Sequence, residues 1–210
     1  QVSQAPLQAV NGVIDFELDS GFLDTAIGLG TQGPPATESA AIWVNRFAVT
    51  EALTIDTISI AWPDSSGNSI GLDANLVVYY DASASGNLAN AVRIGSDTPA
   101  PISVENAMGS LATFETYAAN FEIPGAGDVY IGFVDQWAMG GNYTPRIFPA
   151  GIDQTGPDQG ASWVSGDSGA AGSTIHHAPL GRLCSGFGSL PLVSTNAAEV
   201  GTVVSGVRLV

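Results

Sequence analysis

The chain has 210 residues, twenty acids against five arginines and no lysine, giving a formal net charge of −15. Such a surface repels phosphate backbones and anionic headgroups, so neither nucleic acid nor an anionic leaflet is an expected partner. No apolar run approaches the eighteen or so residues of a membrane span, and the length suits one large all-β domain that needs no metal or disulfide to build a core.

The first twelve residues are polar and weakly patterned, and read as an extended N-terminal segment; residues 13–210 read as one domain. Beginning with Gln1 and rich in Gly, Ser, Thr and Ala, the chain is expected to be a processed, exported bacterial protein. Period-two runs then recur between Gly, Pro, Asn, Asp and Ser clusters, with no stretch of eleven residues carrying a helical stripe. They predict strands at 13–18, 41–49, 54–62, 75–80, 91–94, 113–123, 129–137, 146–152, 161–164, 173–178 and 202–210. Eleven strands suit two packed sheets better than one open sheet.

The segment from Gly127 to Asp135 is the most informative of these. Val129, Ile131 and Phe133 form one alternating set, and Tyr130, Gly132 and Val134 the other. Neither set belongs in water, so this strand should be covered on both faces. Its second face is expected to lie under the loop 138–145 or under a segment of another copy.

The groupings that suggest chemistry are weak. Gly166-Asp167-Ser168-Gly169 matches a serine-protease nucleophile motif, yet His176 and His177 both follow the serine, whereas that fold places its histidine earlier. Gly67-Asn68-Ser69-Ile70-Gly71 has nucleophile-elbow spacing but no helix behind it. Adjacent histidines on a strand face opposite ways and cannot easily grip one ion, and Cys184, the single cysteine, excludes an intrachain disulfide and is expected to be buried. Asp15, Glu17 and Asp19 share a strand face where solvation is expected, and a hydrolytic pair such as Asp153 and Asp158 would lie in a turn-rich stretch.

Two groupings remain as candidate sites. Asp81, Ser83, Ser85 and Asn87 place oxygens at alternate positions, an echo of a calcium loop, although only Asp81 is a carboxylate and a polar hairpin turn is the favoured reading. Trp137, Tyr143 and Trp163 fall in or beside long connections, where exposed rings could stack on the faces of a polysaccharide.

Trp43-Val44-Asn45-Arg46-Phe47, Leu76-Val77-Val78-Tyr79-Tyr80-Asp81, the 127–134 strand, and Phe148-Pro149-Ala150-Gly151-Ile152-Asp153 with Ala161-Ser162-Trp163-Val164 resemble the landmarks of secreted bacterial β-sandwich domains. Such domains occur beside secreted proteases or in surface proteins, and the resemblance covers residues 40–165. It implies a two-sheet, jelly-roll-like sandwich with little or no helix and an extracellular or cell-surface location. It assigns no catalytic residue, and at Asp81 this chain carries fewer acids than the related loops. The expectation is a non-catalytic structural or adhesive protein that self-associates through sheet edges or termini into a homo-oligomer or filament, needs no cofactor, and binds calcium only if the Asp81 loop takes it. The alternative is a carbohydrate-binding module, with a carboxylate-dependent hydrolase behind both.

Overall fold

The computed structural model describes residues 21–27, 38–64, 70, 73–138, 150–152 and 162–167. In chain order the strands are β1 (Phe22–Leu23), β2 (Thr25–Ile27), β3 (Glu38–Val49), β4 (Leu53–Ile60), β5 (Asp73–Asp81), β6 (Val92–Pro101), β7 (Ser110–Leu111), β8 (Glu115–Ile123), β9 (Gly127–Ala138), β10 (Ala150–Ile152) and β11 (Ser162–Asp167). A single 3-10 turn, Leu88–Asn90, is the only helical element among the described residues. The fold is all-β and sandwich-like. A five-stranded sheet in the order β11-β3-β9-β5-β6 packs against the pair β4-β8, and two short ladders, β1-β7 and β2-β10, lie outside these layers. All strand pairs in these sheets are antiparallel.

Alternation along β9 decides how the layers are arranged. Val129, Ile131 and Phe133 point into the main core with Trp43, Phe47, Leu76 and Val78 of the same sheet and Ile55, Ile58, Ile60, Phe121 and Ile123 of the facing pair. Trp62 closes this core, its ring meeting Phe133 edge-on at 4.6 Å between centroids and its indole N–H donating to the Tyr117 hydroxyl at 2.8 Å. Tyr130 and Val134 point the other way, into a second cluster with Ile42, Val44, Val77, Tyr79, Leu88, Ala91 and Trp163. The strand is therefore buried on both faces, as its two apolar residue sets predict. Leu88 and Ala91, in and just after the 3-10 turn, contribute to the second layer; the loop 139–145 lies outside the described residues.

Gly132 interrupts this second face because β3 passes too close for a side chain. A Cβ there would overlap the carbonyl of Trp43 and crowd the Cα of Val44, both backbone atoms that cannot swing aside.

Two bulges shape the sheets. Opposite Asp56 of β4, two residues of β8, Ala119 and Asn120, share one position. Between the pairs Leu76↔Thr98 and Val78↔Ile94, β6 carries three residues against one of β5, and Gly95 takes a φ of 67° there. Bulges bend and twist the strands that carry them. The β6 edge also holds Pro99 and Pro101, which lack the N–H that a further strand would require, and Asp56 stands exposed on β4.

The expected strands at 41–49, 54–62, 75–80, 113–123, 129–137 and 161–164 correspond to β3, β4, β5, β8, β9 and β11 within a few residues at each end. Strand 91–94 continues past its bulge to Pro101, and strand 146–152 is described only as β10. Those at 13–18, 173–178 and 202–210 lie outside the described residues. The ladders of β1, β2 and β7 were not expected, since two- and three-residue strands carry no measurable alternation.

The Gly132 contact has a direct consequence. Gly132→Ala should cost about 1–3 kcal/mol in urea unfolding, whereas Gly125→Ala, whose Cβ would meet only the Tyr80 hydroxyl at 3.7 Å, should be close to neutral. Equal stability of the two variants would contradict this placement of β3.

Candidate functional site

The Asp81 loop is built around its one carboxylate. Asp81 ends β5 and is 3% exposed. Its Oδ1 accepts from the Ser83 N–H at 2.9 Å and the Ser83 hydroxyl at 2.6 Å. Oδ2 accepts from the Ser85 N–H at 2.9 Å and the Ser85 hydroxyl at 2.5 Å. Four donors occupy a group with about four lone-pair sites. The Ser85 oxygen in turn accepts from Asn90 Nδ2 at 2.9 Å and the Asn87 N–H at 3.3 Å. Burial alone would push the Asp81 carboxyl up, but the Ser83 and Ser85 donors outweigh it and hold the pKa at about 2. The residues expected to echo a calcium loop thus form a carboxylate-capped turn, and a cation at Asp81 would have to displace these donors.

A second carboxylate lies beside it across the ladder. Asp128 pairs with Asp81 in the β5-β9 register and is 4% exposed. Its Oδ2 accepts from the Gly86 N–H at 2.8 Å and lies 3.9 Å from Arg46 Nη1. Gly86 has a φ of 70°, which favours glycine, and a Cβ on it would push the Arg46 guanidinium aside. Next along the face, Tyr130 has its hydroxyl pKa raised, first by burial and then by the Asp128 charge, with Arg46 opposing. Tyr79 pairs with Tyr130 across the ladder, and burial raises its phenol against the pull of Arg93. Among the described residues no three His, Cys, Asp or Glu side chains come together as a metal-binding group.

The ring of Trp163 is buried in this second layer, edge-on to Tyr130 with centroids 6.1 Å apart, so the indole face is not open for stacking. Trp137 lies in β9, paired with Ser39; Tyr143 lies outside the described residues, as do His176, His177, Asp153, Asp158 and the acids at 15, 17 and 19. The first half of the protease-like motif, Gly166 and Asp167, continues β11 opposite Ala41 and Ala40, and is not a turn.

The connection between β6 and β8 is a further feature, and nothing in its sequence marks it. Asn106, 5% exposed, pins it. Its amide donates to the carbonyls of Trp62 and Thr113, both at 3.0 Å, its side-chain oxygen accepts from the Thr113 N–H at 2.6 Å, and its own N–H reaches the Trp62 carbonyl at 2.8 Å. Gly109 and Ala112 donate to the carbonyls of Leu23 and Gly21. From this fixed backbone Val104, Met108 and Leu111 project with 37%, 51% and 76% of their surfaces exposed.

Comparison with known proteins gives no relative: no family model, no curated protein and no solved structure matches the chain.

The Asp81 cap has a pH signature. A carboxyl whose folded pKa lies below its ordinary 3.8 contributes stability that is complete above that value and is lost as pH falls towards about 2. In a carboxyl-carbon NMR titration Asp81 should titrate near 2, and the double variant Ser83→Ala, Ser85→Ala should move it back towards the ordinary value. An unmoved midpoint would show that the serines do not set it.

Proposed function

We propose that this is an exported, non-catalytic structural or adhesive protein that works by associating with further copies of itself. The observation that carries this reading is the pinned connection that presents Val104, Met108 and Leu111 to solvent. Exposed apolar side chains are ordinary when scattered, but three on one short segment with a fixed backbone form a pre-organised contact surface. Residues 106–114 carry no charged side chain. Around Met108 and Leu111, two copies of a chain with a net charge of −15 can therefore meet without a charged side chain from this stretch, the nearest acid in sequence being Glu105 beside Val104. Of the described edges, β6 is less suited to the task because it carries two prolines and a bulge, and so is β4, where a bulge sits opposite exposed Asp56.

The rest of the described polar architecture supports a structural role. Asp81, Asp128 and Asn106 have their hydrogen-bonding capacity directed to turns and ladders that hold the fold. Export agrees with the lysine-free acidic composition.

Light scattering tests the reading. The wild-type chain should exceed the 21.4 kDa monomer mass, increasingly so at high salt, where self-repulsion is screened. The double variant Met108→Asp, Leu111→Asp should remain at monomer mass with an unchanged far-UV spectrum. A wild-type chain that stays monomeric at every salt concentration would overturn the proposal, and retention on a polysaccharide column would then favour a glycan-binding module.

A further inference from the structure

A row of hydrogen-bond donors crosses the second face of the five-stranded sheet. Strand register places Arg46 of β3 opposite Tyr130 of β9, Tyr130 opposite Tyr79 of β5, and Tyr79 opposite Arg93 of β6. Directly opposed residues share a face, so two phenols stand side by side with an arginine on either flank, the arginine Cα atoms about 14 Å apart at three strand spacings. Trp163 joins them from β11, its ring edge-on to Tyr130. Tyr130, Tyr79 and Trp163 are 0%, 4% and 8% exposed, yet the two hydroxyls and the indole N–H have no hydrogen-bond partner among the described residues. Native interiors rarely leave such groups unpaired, and here three lie on one face. The neighbouring side chains cannot relieve them. Burial holds both phenols protonated, although Arg93 pulls on Tyr79 and Arg46 on Tyr130, and a guanidinium or an indole can only donate. The carboxylates of the next row are engaged elsewhere, Asp81 by four donors from Ser83 and Ser85 and Asp128 by the Gly86 N–H and Arg46. This face is supplied with donors and lacks an acceptor.

We propose that the row Arg46, Tyr130, Tyr79 and Arg93 is a binding site for a small monovalent anion of the halide class, with the two phenol hydroxyls and the Trp163 indole N–H as donors and the two guanidiniums as the source of positive potential. A halide accepts from O–H and N–H groups without demanding a particular angle, and bonds to a charged acceptor are stronger than neutral ones. The depth of the donors favours a monatomic guest over a carboxylate or a sugar. Asp81 and Asp128 offset the charge of the two arginines, which disfavours a phosphate or sulfate dianion on a chain that already carries a net charge of −15. The assignment is independent of self-association.

The test uses the full chain at neutral pH and fixed ionic strength, with sodium gluconate exchanged stepwise for sodium chloride. The thermal midpoint of the wild type should rise with chloride, and the chloride NMR line should show excess broadening that bromide displaces. Tyr79→Phe and Tyr130→Phe each delete an unpartnered hydroxyl and keep the ring, so in gluconate both variants should unfold at or above the wild-type midpoint. Each should bind chloride about tenfold more weakly, as expected for loss of one charge-assisted hydrogen bond. A wild type whose midpoint and chloride line both ignore chloride overturns the site. A chloride response that both variants share in full shows an adventitious ion only and overturns the assignment to this row. Sulfate that acts as strongly as chloride overturns the monovalent class, and variants that unfold below the wild type in gluconate overturn the premise that the hydroxyls lack partners.

Discussion

The double burial of β9 is the constraint on which the rest of the structure depends. A strand with Val129, Ile131 and Phe133 on one side and Tyr130 and Val134 on the other must have a layer above and a layer below. The lower layer is the β4-β8 pair, with Ile58, Ile60, Phe121 and Ile123 aimed at β9. The upper one includes side chains from a turn, Leu88 and Ala91, and from the edge strand, Trp163. At Gly132 the second face gives up its side chain so that β3 can approach, and the pleat continues unbroken from Glu38 to Val49 against the whole of β9.

The same geometry explains why the Asp81 loop is so heavily hydrogen-bonded. The end of β5 must deliver a turn that folds back over the second face, and that turn carries Ala84 and Gly86 with positive φ. Asp81 and Asp128 stand side by side on that face, where two like charges would repel. Ser83, Ser85, the Gly86 N–H and Arg46 surround them with donors and positive charge. What looks in the sequence like a weak ion-binding loop acts in the structure as the fastening of the turn that brings Leu88 and Ala91 onto the sheet.

The parts of the fold that could be read from the sequence are those with long, one-dimensional patterns. Eight or more residues of alternation in β3, β4, β8 and β9 state both strand identity and face, and the 127–135 segment states double burial outright. The parts that could not be read depend on register. Asp128 becomes the neighbour of Asp81 only once β5 and β9 pair, and the Glu115 carboxylate accepts from the Ser103 N–H only once the chain beyond β6 comes to lie beside the start of β8. Trp163 shows the same limit: its strand at 161–164 is legible, yet only the pairing of β11 with β3 shows that its ring lies in a buried layer and not open for stacking. The exposed Val104, Met108 and Leu111 have the composition of core residues, and only the fold, with Asn106 pinning their connection, shows that they stand outside.

Native-state hydrogen exchange in increasing denaturant tests whether the doubly covered β9 organises the molecule. If it does, the amides of residues 129–134 exchange only through global unfolding, and those of β4 and β8, which lie in a two-stranded layer with an alternately exposed outer face, exchange through smaller openings first. Exchange of the β9 amides at a lower free energy than those of β4 and β8 would contradict the account.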